Sequence, residues 1–236
     1  MTLREEWNQH AHEWVEWART PGHDSYWRFH RKEFLSLVPP AGRLTVDVGC
    51  GEGRVGRDLI RAGHRVFALD ASHAMVHAAV THPERPLTGI VADAATLPIP
   101  AGAADRVVAH MSLQDVDDLE RSVAEIARIL EPGGYLVMAI VHPLNSAGRF
   151  VGEHGDPDRP FVITGSWFER RRIADRCERD GLGMTFHSEH RSLEDYVDAL
   201  ADSGFLVERI REVTEPDPAD KWYRIPLFMD LRAIKR

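Results

Sequence analysis

The stretch VDVGCGEGR, residues 46–54, decides how the rest of the chain is interpreted. A strand-like apolar run breaks there into closely spaced glycines, and the overlapping segment GEGRVG at 51–56 fits the G-x-G-x-x-G pattern of dinucleotide-binding turns. Glycine between a strand and a helix lets a ligand approach the backbone closely. The pattern alone is weak evidence, so the residues around it must indicate which ligand the turn holds.

Acidic residues next to the glycines favour a cationic ligand. Asp47 precedes the first glycine by two positions, and Glu52 lies inside the turn. A dinucleotide would place its pyrophosphate at the helix N-terminus, where each carboxylate would repel it by several kcal/mol at an effective dielectric of about 20. S-adenosylmethionine carries a sulfonium and an ammonium against one carboxylate, so the same acids attract it. The sequence therefore predicts this cofactor rather than a nicotinamide dinucleotide.

Two further acids follow at the ends of later strands. Asp70 ends the strand after the glycine turn, where a carboxylate can accept both ribose hydroxyls of a nucleoside. Asp93 ends the next strand, within reach of an adenine edge. Together with the acids at the turn, they predict a site for a cationic nucleoside.

Strand and helix signals alternate along the first two thirds of the chain and predict an α/β fold. Apolar strands without polar alternation belong in the middle of a sheet covered by helices, and repeated strand–helix–strand units give a Rossmann-like, doubly wound parallel sheet. A helix at 192–204 and strands at 205–213 and 227–235 complete the pattern. The earlier strands are predicted at 44–48, 65–70, 89–93, 105–113 and 135–141, and the earlier helices at 54–62, 72–80 and 117–130.

Composition and charge exclude several classes of protein. The chain has 236 residues, a formal net charge of -8 and two cysteines that are far apart, Cys50 and Cys177. An acidic chain is a poor general binder of nucleic acid, and two distant cysteines form neither a metal motif nor a disulfide framework. With no signal-peptide pattern and no apolar run of membrane-spanning length, we expect a cytoplasmic protein without membrane contacts.

Four motifs together resemble the class I S-adenosylmethionine-dependent methyltransferases, in the small-molecule, methyltransferase type 11-like branch. They occur in that family's order and spacing. The resemblance implies a seven-stranded, mostly parallel sheet whose last strand runs antiparallel beside the fifth. The motifs are VDVGCGEG (46–53), VFALDASHAMV (66–76), VADAATLPIPAGAADRVVAHMSLQDVDD (91–118) and ARILEPGGYLVMAIVHP (127–143).

The resemblance also implies roles for individual residues in binding S-adenosylmethionine. Residues of the turn would face the methionine moiety, residues after the second and third strands would hold the adenosine, and residues after the fourth strand would form the floor under the sulfonium. The first group is Asp47, Gly49, Cys50 and Gly51; the second is Asp70, Ala71, Met75, Asp93 and Ala94; the third is His110 and Met111. The Asp/Asn-Pro-Pro-aromatic tetrad of many DNA and amide methyltransferases does not follow the fourth strand, which disfavours such targets.

Outside the core, the sequence predicts two covering segments. Residues 1–40 form an N-terminal helical cover, 41–143 the cofactor-binding core, 144–190 a small cap or lid, and 191–236 the end of the sheet. Trp7, Trp14 and Trp17 share one helix face, which either docks on the core or covers the cofactor and part of a substrate pocket. The segment GSWFERRRIADR at 165–176 is interpreted as a solvated helix whose arginines pair with Glu169, Asp175 and Glu178, in preference to a site for anions or nucleic acid.

Histidines are the candidates for acid–base chemistry. Methyl transfer to a hydroxyl needs a base to take its proton, and histidine is the commonest base near neutral pH. His142 follows the fifth strand at the ligand-binding edge of the sheet, although it could instead cap a helix or brace a loop. His187 and His190, in TFHSEHR, could form one wall of a pocket. Tyr196 is interpreted as a core residue.

These observations predict S-adenosylmethionine-dependent methylation of a small molecule, at oxygen, by a monomer or homodimer. Two alternatives stay open at the level of sequence. One is an RNA or protein methyltransferase that docks its substrate on the arginine cluster. The other is a protein that binds S-adenosylmethionine without transferring its methyl group.

Overall fold

The computed structural model describes residues 1–153 and 155–236. Its strands are β1 (Thr45–Val48), β2 (Val66–Asp70), β3 (Gly89–Val91), β4 (Ala104–His110), β5 (Leu130–Val141), β6 (Gly148–Phe150), β7 (Phe161–Ile163), β8 (Arg171–Arg179), β9 (Leu182–His190), β10 (Phe205–Val213) and β11 (Phe228–Lys235). Its helices are α1 (Leu3–Arg19), α2 (Arg31–Leu35), α3 (Arg54–Arg61), α4 (His73–Val80), α5 (Leu119–Ile129), α6 (Pro143–Ala147) and α7 (Leu193–Asp202), with a π-helical turn at Tyr26–His30.

One seven-stranded sheet organises the chain in the order β3-β2-β1-β4-β5-β11-β10. The five strands from β1 to β5 pair in parallel. Strand β11 lies between β5 and β10 and is antiparallel to both. The predicted Rossmann-like sheet with an antiparallel last strand beside the fifth is confirmed. Because the chain order reverses between β1 and β4, the carboxyl ends of these strands border a crevice in which ligands bind in such sheets.

Apolar side chains cover both faces of the sheet. On one face, helices α5 and α7 pack over buried residues such as Leu136 and Met138, and Tyr196 is buried among them, as expected. On the other face, Tyr26 and Phe34 of the N-terminal segment pack with Leu59 of α3. The N-terminal segment therefore forms part of the core as well as a cover.

Helix α1 begins with a capping box between Thr2 and Glu5, which satisfies free backbone donors at its N-terminus. Its buried residues Trp14 and Trp17 pack with Met75 of α4 and Phe186 of β9. The tryptophan face thus joins the helix to the cap strand and to α4, beside the carboxyl edge of the sheet.

The predicted helix at 165–176 is wrong. Strand β8 begins within that segment and pairs with β9 in an antiparallel hairpin, whose two-residue turn is Asp180-Gly181 with φ values of 51° and 80°. Asp-Gly is the preferred sequence for such a turn because both positions need a left-handed backbone, so the signal was present in the sequence. The first part of the predicted cap or lid contains α6 and the short antiparallel pair β6–β7.

Candidate functional site

The glycine turn after β1 depends on left-handed backbone that other residues rarely adopt. Gly49, Gly51 and Gly53 have φ values of 72°, 55° and 92°. A Cβ atom on Gly49 would overlap the side chain of Ser112, in the loop that follows β4. The turn is therefore held tightly against the end of β4, which explains why glycine occupies this position.

Hydrogen bonds tie the turn to β2. The amides of Gly49 and Cys50 donate to the carbonyl oxygen of Leu69 at 2.8 and 2.9 Å. The Gly51 amide donates to Asp70 Oδ2 at 2.8 Å, and the Ser72 amide donates to Asp70 Oδ1 at 2.9 Å. Asp70 thus connects the turn to the start of α4. Each of its oxygens keeps a further lone pair that can accept from a ribose hydroxyl.

Asp47 is a buried carboxylate at the end of β1. Burial raises its pKa to about 7, with Asp70 adding to this effect and Arg54 opposing it. Among the described residues, its Oδ2 has no hydrogen-bond partner. A buried, unpaired carboxylate oxygen is costly, and a cationic donor in the crevice would satisfy it. The ammonium group of S-adenosylmethionine fits this requirement.

The residues predicted to bind the adenosine lie at or just after the ends of β2 and β3. Asp93 Oδ1 accepts from the Ala95 amide at 2.9 Å, and Oδ2 lies 3.5 Å from Arg4 Nη1 of the N-terminal helix. Met75 is buried in α4, whereas Ala71 and Ala94 are half-buried. The carboxylate of Asp93 is half-exposed, so its outer oxygen is open to a ligand amine.

The expectation that Glu52 presents a free negative charge to the ligand is wrong. Its carboxylate is buried and accepts from Arg57 Nη2 at 2.6 Å and from Arg19 Nε at 3.1 Å. Although burial acts to raise the pKa of Glu52, the two arginines hold it below its ordinary value. At the turn itself, the electrostatic preference for a cation therefore depends on Asp47 and Asp70 rather than on Glu52.

Arg54 is a residue of the site that sequence reasoning missed. Its guanidinium carbon lies 4.7 Å from the centre of the Trp14 ring and 5.5 Å from that of Tyr26, and its Nε is 2.7 Å from Asp24 Oδ2. Its position in the sequence could have indicated this role, because Arg54 is the first residue of the helix after the turn and faces the covering N-terminal segment. Arg54 places a buried positive charge beside Asp47, next to the crevice.

His110 is the last residue of β4, and Met111 follows it, so both lie at the end of the fourth strand. Burial lowers the pKa of His110 well below its ordinary value, and nearby His30 and Arg54 act in the same direction. The ring is therefore neutral, and neither nitrogen has a partner among the described residues. Met111 adopts a left-handed backbone with φ of 54°, and its amide donates to the Ala139 carbonyl oxygen at 2.8 Å. This kink ends β4 at the edge of the crevice.

His30 and Asp230 complete a buried polar row with His110. Asp230 of β11 and His110 of β4 both lie beside Ala139 of β5, so their side chains share one face of the sheet. The His30 ring lies 5.0 Å from that of His110, centre to centre, and its Nε2 is 2.7 Å from Asp230 Oδ1. Sequence reasoning missed this row because its members come from three distant segments.

The predicted catalytic histidines are engaged to different degrees. Nδ1 of His142 accepts from the Leu144 amide at 3.1 Å and caps α6, while Nε2 is 3.2 Å from Glu212. In His190, Nε2 lies 2.9 Å from the Trp167 carbonyl oxygen, so it carries the proton and Nδ1 accepts from Ser146 Oγ at 2.6 Å. Both nitrogens of His190 are therefore occupied by protein groups.

His187 lies between β9 and the N-terminal helix. Its ring stacks on that of His10 at 4.8 Å, and Nδ1 is 3.4 Å from Glu6 Oε2. Its Nε2 is buried and lacks a partner among the described residues. Of the three predicted candidates, His187 is thus the one with a ring nitrogen that no group in the described part of the chain occupies.

Arg170, Arg172 and Arg176 of the arginine cluster are paired with acids. Arg176 lies 3.2 Å from Glu178, as expected, whereas the partners of Arg170 and Arg172 are acids other than those expected. Arg170 contacts Glu120 and Asp195, each at 2.6 Å. Arg172 is 2.8 Å from Asp117 and 3.5 Å from Glu189. These contacts attach the hairpin to the core and leave little positive charge for a polyanion.

Residues 1–153 and 155–236 contain neither a metal-binding cluster nor a membrane-spanning helix. No group of three or more acidic, histidine or cysteine side chains has a geometry suited to a metal ion. No helix there has the length and apolar character required to cross a membrane.

Comparison with known proteins agrees with this geometry. Residues 46–138 match the family described as a methyltransferase domain. The chain is 32% identical over 118 residues to a demethylmenaquinone methyltransferase of Corynebacterium efficiens, covering 50% of this chain and 49% of that protein. It is 34% identical over 115 residues to a malonyl-[acyl-carrier protein] O-methyltransferase of Pectobacterium atrosepticum, covering 46% of this chain and 43% of that protein. The match thus spans about half the length of these relatives.

Solved structures resemble the fold over most of its length. An S-adenosylmethionine-dependent methyltransferase from Mesorhizobium loti superimposes with a TM-score of 0.68 at 24% identity, covering 87% of this chain and 97% of that one. That likeness extends the agreement in fold beyond residues 46–138. Residues 46–138 thus match a methyltransferase domain, and the fold of the chain resembles that of S-adenosylmethionine-dependent methyltransferases.

Proposed function

We propose that this protein transfers the methyl group of S-adenosylmethionine to an oxygen atom of a small-molecule acceptor. The observation that carries the proposal is the buried carboxylate of Asp47, whose Oδ2 has no hydrogen-bond partner among the described residues, beside a left-handed glycine turn that Asp70 secures. This combination suits a ligand with a cationic amino-acid end and a ribose. The names of two relatives support the two parts of this proposal. One is called a demethylmenaquinone methyltransferase, which names a small-molecule acceptor, and the other is called an O-methyltransferase, which names oxygen as the methylated atom.

The chain's own residues would bind and orient the two reactants. Asp47 would accept from the ammonium group, Asp70 from the ribose hydroxyls and Asp93 from the adenine amine, with His110 and Met111 below the reacting centre. When bound, S-adenosylmethionine supplies an activated methyl group on a sulfonium. Much of the rate enhancement would come from holding the acceptor oxygen in line with that methyl group. Helix α1 and strand β9, which meet through Trp14 and Phe186, would exclude water from the crevice.

A base is needed where the acceptor is a hydroxyl, and the three predicted histidines differ in their suitability. Protein groups occupy both ring nitrogens of His190. In His142, Nδ1 caps α6 and Nε2 already lies next to Glu212. His187 retains an unpartnered Nε2 under the N-terminal helix. We therefore rank His187 first as the proton acceptor, with His142 as the alternative.

The RNA or protein methyltransferase alternative lacks a docking surface of the expected kind. Arg170 and Arg172 contact four carboxylates, so the cluster does not offer a free basic stripe. A small acceptor, enclosed between the hairpin and the N-terminal helix, agrees better with these contacts.

Titration of the purified protein with S-adenosylhomocysteine tests cofactor binding. A second assay follows transfer of radiolabelled methyl from S-adenosylmethionine to a panel of phenols and hydroxyquinones. We expect binding, and methylation of a hydroxylated compound that His187→Gln slows with a changed pH–rate profile. Saturable binding without turnover on hydroxyl, amine or carbon acceptors would favour a cofactor-binding protein without methyl transfer, and absence of binding would overturn the proposal.

A further inference from the structure

A cavity separate from the crevice at the strand ends borders Glu52 of the glycine turn. Its volume is about 370 Å³, which falls within the range of small-ligand sites. Helix α3, the end of α1 and the loop after α4 form its walls. Arg19, Arg57, Arg61 and His82 line it, together with Trp27.

The basic side chains keep unused donors there. Arg57 is buried and contacts Glu52 through Nη1 and Nη2, so its Nε–H is left over within the described part of the chain. Arg19 uses Nε and Nη2 for Glu52 and the Ala78 carbonyl oxygen, and Arg61 uses Nη1 for Asp58. Several guanidinium N–H groups are therefore available to a ligand.

His82 adds a further donor. Its Nδ1 accepts from the backbone amides of Glu84 and Arg85 at 3.3 and 3.4 Å, so its proton is on Nε2. Burial lowers the pKa of His82, and the positive charges of Arg57 and Arg19 lower it further. The potential at this wall is thus positive.

The acids of the cavity do not cancel that potential. Glu52 is buried and already shared by two arginines, and the remaining carboxylate, Glu84, is exposed at the rim. Arginine forks and an imidazole N–H that converge from three segments match an anion with several oxygens around one centre. Trp27, which is 42% exposed, supplies an apolar wall beside them.

We propose that this cavity is a binding site for a phosphate group, distinct from the cofactor turn. The ligand is either free phosphate or an organic phosphate whose carbon part contacts Trp27. The proposal does not depend on the methyl acceptor.

Calorimetric titration of the full chain with inorganic phosphate, at constant ionic strength, tests it. We expect saturable binding that Arg61→Gln weakens by about tenfold, because a charge-assisted contact is lost. The matched control is Arg65→Gln, which removes the same charge at an exposed position outside the cavity and should change the dissociation constant by less than about twofold. Thermal unfolding of both variants checks that they fold.

Phenyl phosphate distinguishes the two ligand sources. Tighter binding than inorganic phosphate, lost in Trp27→Ala, identifies an organic phosphate, and equal binding identifies the free anion. Non-saturable heats, or equal weakening by both arginine variants, would overturn the proposal. S-adenosylhomocysteine titrated into the same samples reports on the cofactor site independently, so failure of either proposal is recognised separately.

Discussion

His30 Nε2 lies 2.7 Å from Asp230 Oδ1, and both side chains are completely buried. The contact joins the N-terminal segment to β11, which are separated by 200 positions along the chain. Phe228 stacks on the His30 ring at 4.8 Å and shields the pair from water. A buried polar pair of this kind links the covering segment to the sheet at the floor of the crevice.

Removing one member of this pair should destabilise the protein strongly. We expect Asp230→Ala to lower the free energy of unfolding by about 3–5 kcal/mol, because the partner is left buried and unpaired. The double variant His30→Phe with Asp230→Leu should recover part of that loss, since neither position of the pair then holds a buried polar group without its partner. Urea unfolding of the wild type, Asp230→Ala and the double variant measures this, and a double variant no more stable than Asp230→Ala would contradict the assignment.

Two glycines with left-handed backbone provide a matched test of the turn. Gly49→Ala introduces strain of about 1–3 kcal/mol and also an overlap with Ser112. Gly63→Ala has φ of 90° but open space around the new Cβ, so it carries the strain alone. We expect Gly49→Ala to cost more stability and to abolish S-adenosylhomocysteine binding, while Gly63→Ala retains binding. Equal behaviour of the two variants in calorimetry would show that the turn tolerates a side chain.

Asp47 should make stability depend on pH. Burial raises its pKa from 3.8 to about 7, so between these values the native state binds more protons than the unfolded state. Stability therefore falls as pH rises from about 4 to about 7, by the linkage between protons and folding. We expect Asp47→Asn to flatten this part of the profile and to stabilise the ligand-free protein at pH 8 by about 2–4 kcal/mol. Parallel profiles of the two proteins in thermal unfolding would show that Asp47 has an ordinary pKa.

Asp70 should be required for cofactor affinity. We expect Asp70→Ala to weaken S-adenosylhomocysteine binding by about 1–3 kcal/mol, because two ribose bonds and the support of Gly51 are lost. Asp202→Asn, an exposed change at the end of α7, is the control and should leave affinity unaltered. Unchanged affinity of Asp70→Ala in calorimetry would rule out the ribose role.

Local patterns predicted much of the sheet. Apolar strands such as β5 and amphipathic helices such as α5 are visible in periodicity, and the glycines at 49–53 mark the turn directly. Strand β8 of the hairpin was missed because this arginine-rich strand is only half-buried, so its alternation of apolar and polar residues is weak. The Asp-Gly turn was the local signal that could have found it.

What the sequence by itself determined is the order of strands and helices, the glycine turn and the acids at the strand ends, because these depend on neighbouring residues. Only the tertiary structure decided which charges are free. Arg57 lies five residues after Glu52 and neutralises it, whereas Oδ2 of Asp47 has no hydrogen-bond partner among the described residues. Likewise, His30, His110 and Asp230 meet only because the sheet brings β4 and β11 to either side of β5. Burial and pairing depend on distances through space, which no local pattern of residues records.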